Sequence, residues 1–169
     1  MDALHAIRTR RSIRAYQDKP VSENLVEQIL AAAMYAPSAG NAQPWQFVVI
    51  NDCKLLHQIP KIHPHAPMAE QAPLAILVCG DPNMEKYPGN WPLDCAAAVQ
   101  NLLLAAHALG LGGVWTGIYP DQGRMESLGR LLGLPMHIIT HTLVVLGYPA
   151  EQPTSGNRYE ASRIHVNGW

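Results

Sequence analysis

The sequence predicts helices packed on a central sheet of about four strands, and three observations predict it. Four short runs carry strand chemistry: Trp45 to Ile50, Leu74 to Cys79, Gly112 to Tyr119 and His141 to Pro149. Between them lie stretches in which apolar residues recur at helical spacing. The chain has 169 residues, 48% of them hydrophobic and 15% charged, which is enough to bury a core. No repeat or linker divides it, so residues 1–169 read as a single domain.

Composition bounds the function classes. A chain this poor in charge is expected to hide apolar surface against a second copy of itself. The formal net charge of −1 argues against a general nucleic-acid binder, which would carry a clear positive excess. Basic charge is local instead: Arg8, Arg10, Arg11 and Arg14 all fall in the first fourteen positions, opposed only by Asp2. Cys53, Cys79 and Cys95 are widely spaced with no Cys-x-x-Cys pair, which suggests neither a disulfide framework nor an iron–sulfur site. With no apolar leader and no apolar run of membrane-spanning length, the expectation is a soluble, cytoplasmic protein with no membrane partner.

Taken in order, Ala3 to Arg8 forms a short amphipathic segment, and Arg10-Arg11-Ser12-Ile13-Arg14 follows. In an extended run, Arg10, Ser12 and Arg14 share one side, with Arg11 and Ile13 on the other. Guanidinium is planar, always charged and matches phosphate oxygens bidentately, and a serine hydroxyl adds a donor. This stretch alone fits two readings, a phosphate site or a solvated basic turn of the kind that also binds nucleic acid. Ser22 then caps a helix carrying Leu25, Val26, Ile29, Leu30, Ala33 and Met34, expected to end near Ala36. Pro37-Ser38-Ala39-Gly40-Asn41-Ala42-Gln43-Pro44 is a loop of turn formers. Trp45, at the start of the first strand, reads as core.

A short helix is expected around Lys54 to Gln58. His57, His63 and His65 invite a metal, but the prolines around them forbid a helical face, and no carboxylate or thiol completes a ligand spacing. Leu74 to Cys79, continuously apolar, suits a strand buried on both faces. Asp81 to Pro92 is irregular and long enough to serve as a lid or substrate contact. Leu93 to Leu109 is apolar around most of its circumference and ends at Gly110. Such a helix lies in the centre of the domain or between two subunits, and the composition favours the second. Arg124 to Leu132 forms a further helix. The tail, Ala150 to Trp169, is too polar to pack alone and is frayed or tied to a neighbouring subunit. Gly110, Gly112 and Gly113 do not make a dinucleotide fingerprint: position 115 is Trp, and the run precedes a strand.

Together, Arg10-Arg11-Ser12-Ile13-Arg14, the Pro37 to Trp45 loop, Trp115-Thr116-Gly117 and Arg158 resemble the nitroreductase family of FMN-dependent oxidoreductases. Order and spacing match over nearly the whole chain, and the length is similar to the smaller members. The resemblance implies an α+β fold with a central mixed sheet flanked by helices, in an intertwined homodimer that holds FMN in clefts between subunits. It also implies roles. Arg10, Ser12 and Arg158 would grip the FMN phosphate, Arg11 the phosphate or ribityl chain, and Arg14 the pyrimidine edge. Pro37, Ser38 and Asn41 would reach the flavin of the opposite subunit, with Gln43 ordering their loop. Trp115, Thr116 and Gly117 would pass behind the ring, their amides near N5 and O4. A read of Thr116 from the residues alone is an ordinary strand threonine.

The implied reaction is ping-pong. NADH or NADPH reduces the flavin at N5, and an electron-poor small molecule such as a nitroaromatic or quinone then takes the electrons. No side chain need act as acid or base, so no catalytic residue is named. The loops around His63-Pro64-His65 and Asp81 to Trp91 are the expected substrate contacts. The alternatives are a flavin store or redox sensor that does not turn over, and a family member with another reaction, such as dehalogenation or flavin cleavage.

Overall fold

In the computed structural model, which describes residues 1–154 and 156–169, six helices and four strands alternate. The strands are β1 (Trp45–Ile50), β2 (Leu74–Gly80), β3 (Gly112–Gly117) and β4 (Ile139–Gly147). The helices are α1 (Ala3–Thr9), α2 (Glu23–Met34), α3 (Cys53–Leu56), α4 (Ile59–Ile62), α5 (Trp91–Ala108) and α6 (Gln122–Leu131). The sheet order is β1-β2-β4-β3, and every pair is antiparallel. The expected mixed sheet is therefore corrected among the described residues. Its one parallel feature is an isolated bridge between Ser12 and Gly113, outside the strands proper.

Helices cover both faces. Ile29 and Ala33 of α2 and Ala98, Val99, Leu102 and Ala106 of α5 pack on Ile76, Val78, Val144 and Leu146. Leu56, Ile59 and Leu128 pack on the opposite face against Ala75, Leu77, Leu143 and Val145. This explains why β2 is buried along its whole length, and why its sequence does not alternate. Each fully buried leucine or isoleucine here contributes roughly 1.5–3 kcal/mol.

Local chemistry sets the helix ends. Ser22 caps α2 by accepting from the Leu25 amide, and Tyr35 closes it. Gly110, at φ +82°, ends α5: its amide donates to His107 O and that of Leu111 to Ala106 O, a pattern only a left-handed residue completes cheaply. Two boundaries differ from the sequence reading. The segment after β1 makes two single-turn helices instead of one, because Pro60 sits in the first turn of α4, where its missing N–H costs nothing. Helix α5 begins at Trp91, with Pro92 tolerated in its first turn for the same reason. Within the chain, the inner face of α5 packs on α2 and the sheet, while Leu93 in its first turn is exposed.

Candidate functional site

The basic segment lies beside the free edge of the sheet. The Ile13 amide donates to Gly113 O at 3.1 Å and the Gln17 amide to Tyr148 O at 2.9 Å, so residues 12–17 run along β3 and the end of β4. Ile13 is the buried member and fills the space over Gly112, where an added Cβ would come 2.6 Å from Ile13 Cγ1. The Tyr16 hydroxyl, 2.6 Å from Ile13 O and 3.0 Å from Val145 O, ties the same segment down. The Glu151 carboxylate accepts from the backbone amides of Arg14 and Ala15.

This seating sorts the arginines. Arg11 turns back onto its own backbone, Nη1 donating to the carbonyls of Arg8 (2.9 Å) and Arg10 (2.6 Å), while its buried Nη2 has no partner. Arg10 is held below the usual arginine range by burial, then by the charges of Arg158 and Arg11. Arg10 thus stands within the field of two other guanidiniums, and among the described residues no carboxylate lies within salt-bridge distance of any of the three. Planar, always charged guanidiniums grouped in this way suit an anion. Ser12 is half-buried within the same stretch.

Arg14 points to a cleft of about 430 Å³ that it shares with His63, His65, Trp115, Gly117, Tyr119 and Arg124. The cleft therefore gathers Arg14, Trp115, Thr116 and Gly117. Thr116 spends its hydroxyl on Leu143 O at 2.8 Å, the strand-threonine reading, and pairs with the same residue across the sheet. Beside Gly117 the space is open: an added Cβ meets nothing within 4 Å, so a flat ring has room against this backbone. Trp115 is 38% exposed and Tyr119 42%; with the buried His141 and Trp91 they form an aromatic cluster, ring centroids 5.1–6.1 Å apart. Burial pushes the His141 imidazole down to about 4, so it is neutral in this cluster at pH 7.

Pro37, Ser38, Asn41 and Gln43 are not brought to the cleft of their own chain. They form a self-ordered turn. The Gln43 amide donates to Ser38 Oγ and its side chain to Asn41 Oδ1, both at 3.0 Å, while Gly40, Asn41 and Gln43 all take positive φ. Asp94, in the first turn of α5, accepts from the Ala39 amide at 2.9 Å. The Asp81 to Trp91 loop, expected to contact substrate, does not line the cleft either; it packs on this turn. The His63-His65 loop does line it. Tyr119, Arg124 and His141 escaped the sequence reading. For Arg124 the usable signal was its place three residues after Asp121, which caps α6 through the Arg124 amide and pairs with its guanidinium at 3.4 Å. Among the described residues no group of three or more potential ligands could hold a metal ion. Among the described residues no helix is long and apolar enough to cross a membrane.

Comparison with known proteins places this geometry. The profile of the Nitroreductase family matches residues 7–66 and 60–148. A protein of Methanothermobacter thermautotrophicus, provisionally named NADH dehydrogenase/NAD(P)H nitroreductase, is 50% identical over all of this chain and 88% of its own length. A crystal structure under the same provisional name from Parabacteroides distasonis superposes with a TM-score of 0.94 at 41% identity, covering 98% of each chain. A provisionally named nitroreductase of Desulfovibrio desulfuricans, solved in complex with FMN, superposes at 0.85 with 36% identity, over 98% of this chain and 96% of the other. On this match over most of its length, the chain belongs to the nitroreductase family.

Proposed function

We propose that this chain is an FMN-dependent oxidoreductase that moves electrons from NADH or NADPH to an electron-poor small molecule such as a nitroaromatic or a quinone. The observation that carries the reading is the crowd of Arg10, Arg11 and Arg158 with no carboxylate among them, one segment away from a cleft whose Gly117 wall is open to a planar ring. The FMN complex of the Desulfovibrio relative supports it, as do the names of the other relatives.

The residues fit the group. Arg10 and Arg158 supply charge for its phosphate, and Ser12 a hydroxyl. Arg14, at the cleft, would meet the pyrimidine edge, and the main chain of Trp115 to Gly117 would back the ring. When bound, FMN supplies the two-electron chemistry, and the protein supplies binding, orientation and charge. A single face left open to solvent would serve reductant and acceptor in turn, so the two would alternate.

The functional unit is a homodimer. Leu4, Ile7, Met34, Tyr35 and Leu93 are exposed on α1, α2 and α5, and an apolar groove runs among these helices. Pro37, Ser38, Asn41 and Gln43 lie outside their own cleft, which leaves them free to complete that of a second copy. The exposed Tyr159, Ile164, Val166 and Trp169 of the tail are covered the same way.

The test is the visible spectrum of freshly purified protein, followed by anaerobic addition of NADH or NADPH. An oxidised flavin spectrum that bleaches is expected. A colourless protein that does not take up added FMN overturns the reading, and bound flavin that neither nicotinamide bleaches replaces it with a store or sensor.

A further inference from the structure

Gly117 ends β3 at the wall of the cleft, and its carbonyl accepts two side-chain hydrogen bonds, from His63 Nε2 at 2.9 Å and Arg124 Nη1 at 3.4 Å. The other side of the same peptide is equally fixed. The Ile118 and Tyr119 amides both donate to His141 O, at 3.2 and 3.0 Å. Gly117 has no side chain of its own to hold it, and glycine is the residue with most backbone freedom to lose. The chain answers with a clamp from outside the strand.

We propose that His63 is a positioning residue that fixes the orientation of the Gly117–Ile118 peptide toward a flavin bound in the cleft; this rests on the proposed function. The imidazole is 1% exposed, and it reaches β3 from the C-terminal cap of α4, 54 residues away. Its Nδ1 is buried without a partner, a cost that an apolar side chain at this position would not carry. What offsets it is the bond at Nε2. Burial, then the charge of Arg124, lowers the His63 pKa, so the imidazole is neutral at pH 7 with its one proton on Nε2, where the Gly117 carbonyl needs it. Arg124 is the weaker jaw, longer in reach and shared with Asp121. Small rotations of this peptide re-aim the main-chain dipoles beside the ring, and such dipoles are among the few means a protein has of setting flavin electronics.

The experiment compares wild type with His63→Leu, His63→Gln and His63→Asn, each loaded with FMN, reading the midpoint potential, FMN affinity by fluorescence and the melting temperature. Gln carries its amide nitrogen at about the reach of imidazole Nε2, and Asn at that of Nδ1. The potential of His63→Gln is expected to stay near wild type. In His63→Leu and His63→Asn, the ratio of affinities for oxidised and reduced FMN is expected to change at least tenfold, about 30 mV for a two-electron couple. A purely structural histidine would lower the melting temperature in all three and leave the potential alone; that result overturns the proposal. Should His63→Leu not fold, the Gln and Asn variants decide, and equal potentials in those two overturn it. Failure of the wild type to bind FMN strikes the proposed function instead, so the two outcomes stay separate.

Discussion

Lys86 donates its ammonium to the Gly40 carbonyl at 2.6 Å, joining two loops 46 residues apart in sequence. Gly40 has φ +61°, and an added Cβ would stand 2.9 Å from both Lys86 Cδ and Tyr87 Cε2. The turn that carries Ser38 and Asn41 is thus held from outside by the loop before α5. Lys86→Met keeps the stem packing and removes the bond. It should lower stability by only about 0.5–1.5 kcal/mol, because the bond is exposed. It should weaken FMN binding by roughly tenfold, about 1.4 kcal/mol. Thermal melts and a flavin fluorescence titration check the two separately, and unchanged affinity would show that this turn does not contribute to the cofactor site.

Gly112→Ala attacks the seat of the basic segment. The new methyl falls 2.6–2.9 Å from three carbons of the buried Ile13, which cannot give way without moving the chain that carries Ser12 and Arg14. Overpacking of this kind costs about 1–3 kcal/mol. Flavin affinity should fall with it, since Arg10 and Arg14 flank the displaced residue. Denaturant unfolding and flavin titration measure both.

His141 gives a pH dependence with a defined sign. Its folded pKa, about 4, lies below its ordinary value of 6.5, so the folded state prefers the neutral ring. The contribution is fully present above pH 6.5 and is lost as pH falls from there toward 4, on the order of 2–3 kcal/mol in all. The lowered pKa of His63 adds in the same direction. Urea unfolding at pH 4, 5, 6 and 7 should show stability dropping with acid. His141→Phe, which preserves the aromatic contacts, should flatten that slope.

The three cysteines should separate cleanly. Cys53 is exposed, whereas Cys79 and Cys95 are buried and burial pushes both thiols up to about 12. Since the thiolate is the reactive form, iodoacetamide at pH 8 should label the native protein once, at Cys53, and three times in denaturant. Peptide mass spectrometry reads the sites.

Much of this was written in local patterns. Ser22, Gly110 and the unbroken apolar run of β2 each carry their own physical instruction: a cap, a left-handed stop, burial on two faces. The order Arg10, Ser12, Arg14, then Asn41, then Trp115 to Gly117, carries the family resemblance in the sequence alone. These signals are legible because capping, turn chemistry and hydrophobic periodicity act over a few residues, within the span where sequence and structure coincide.

What only the tertiary structure decided depends on partners far apart in the chain. Strand direction was one such matter, because an apolar run buried on both faces reads alike whether its neighbours run parallel or antiparallel. The division of labour among the arginines was another: Arg10 and Arg11 are alike in sequence, yet Arg11 is spent on backbone carbonyls while Arg10 is left facing Arg158. His63 read as a loop histidine until the fold set it 2.9 Å from Gly117. Periodicity and motif spacing determined which elements form and which family they belong to; burial and long-range hydrogen bonding, which no local pattern encodes, determined which side chains meet.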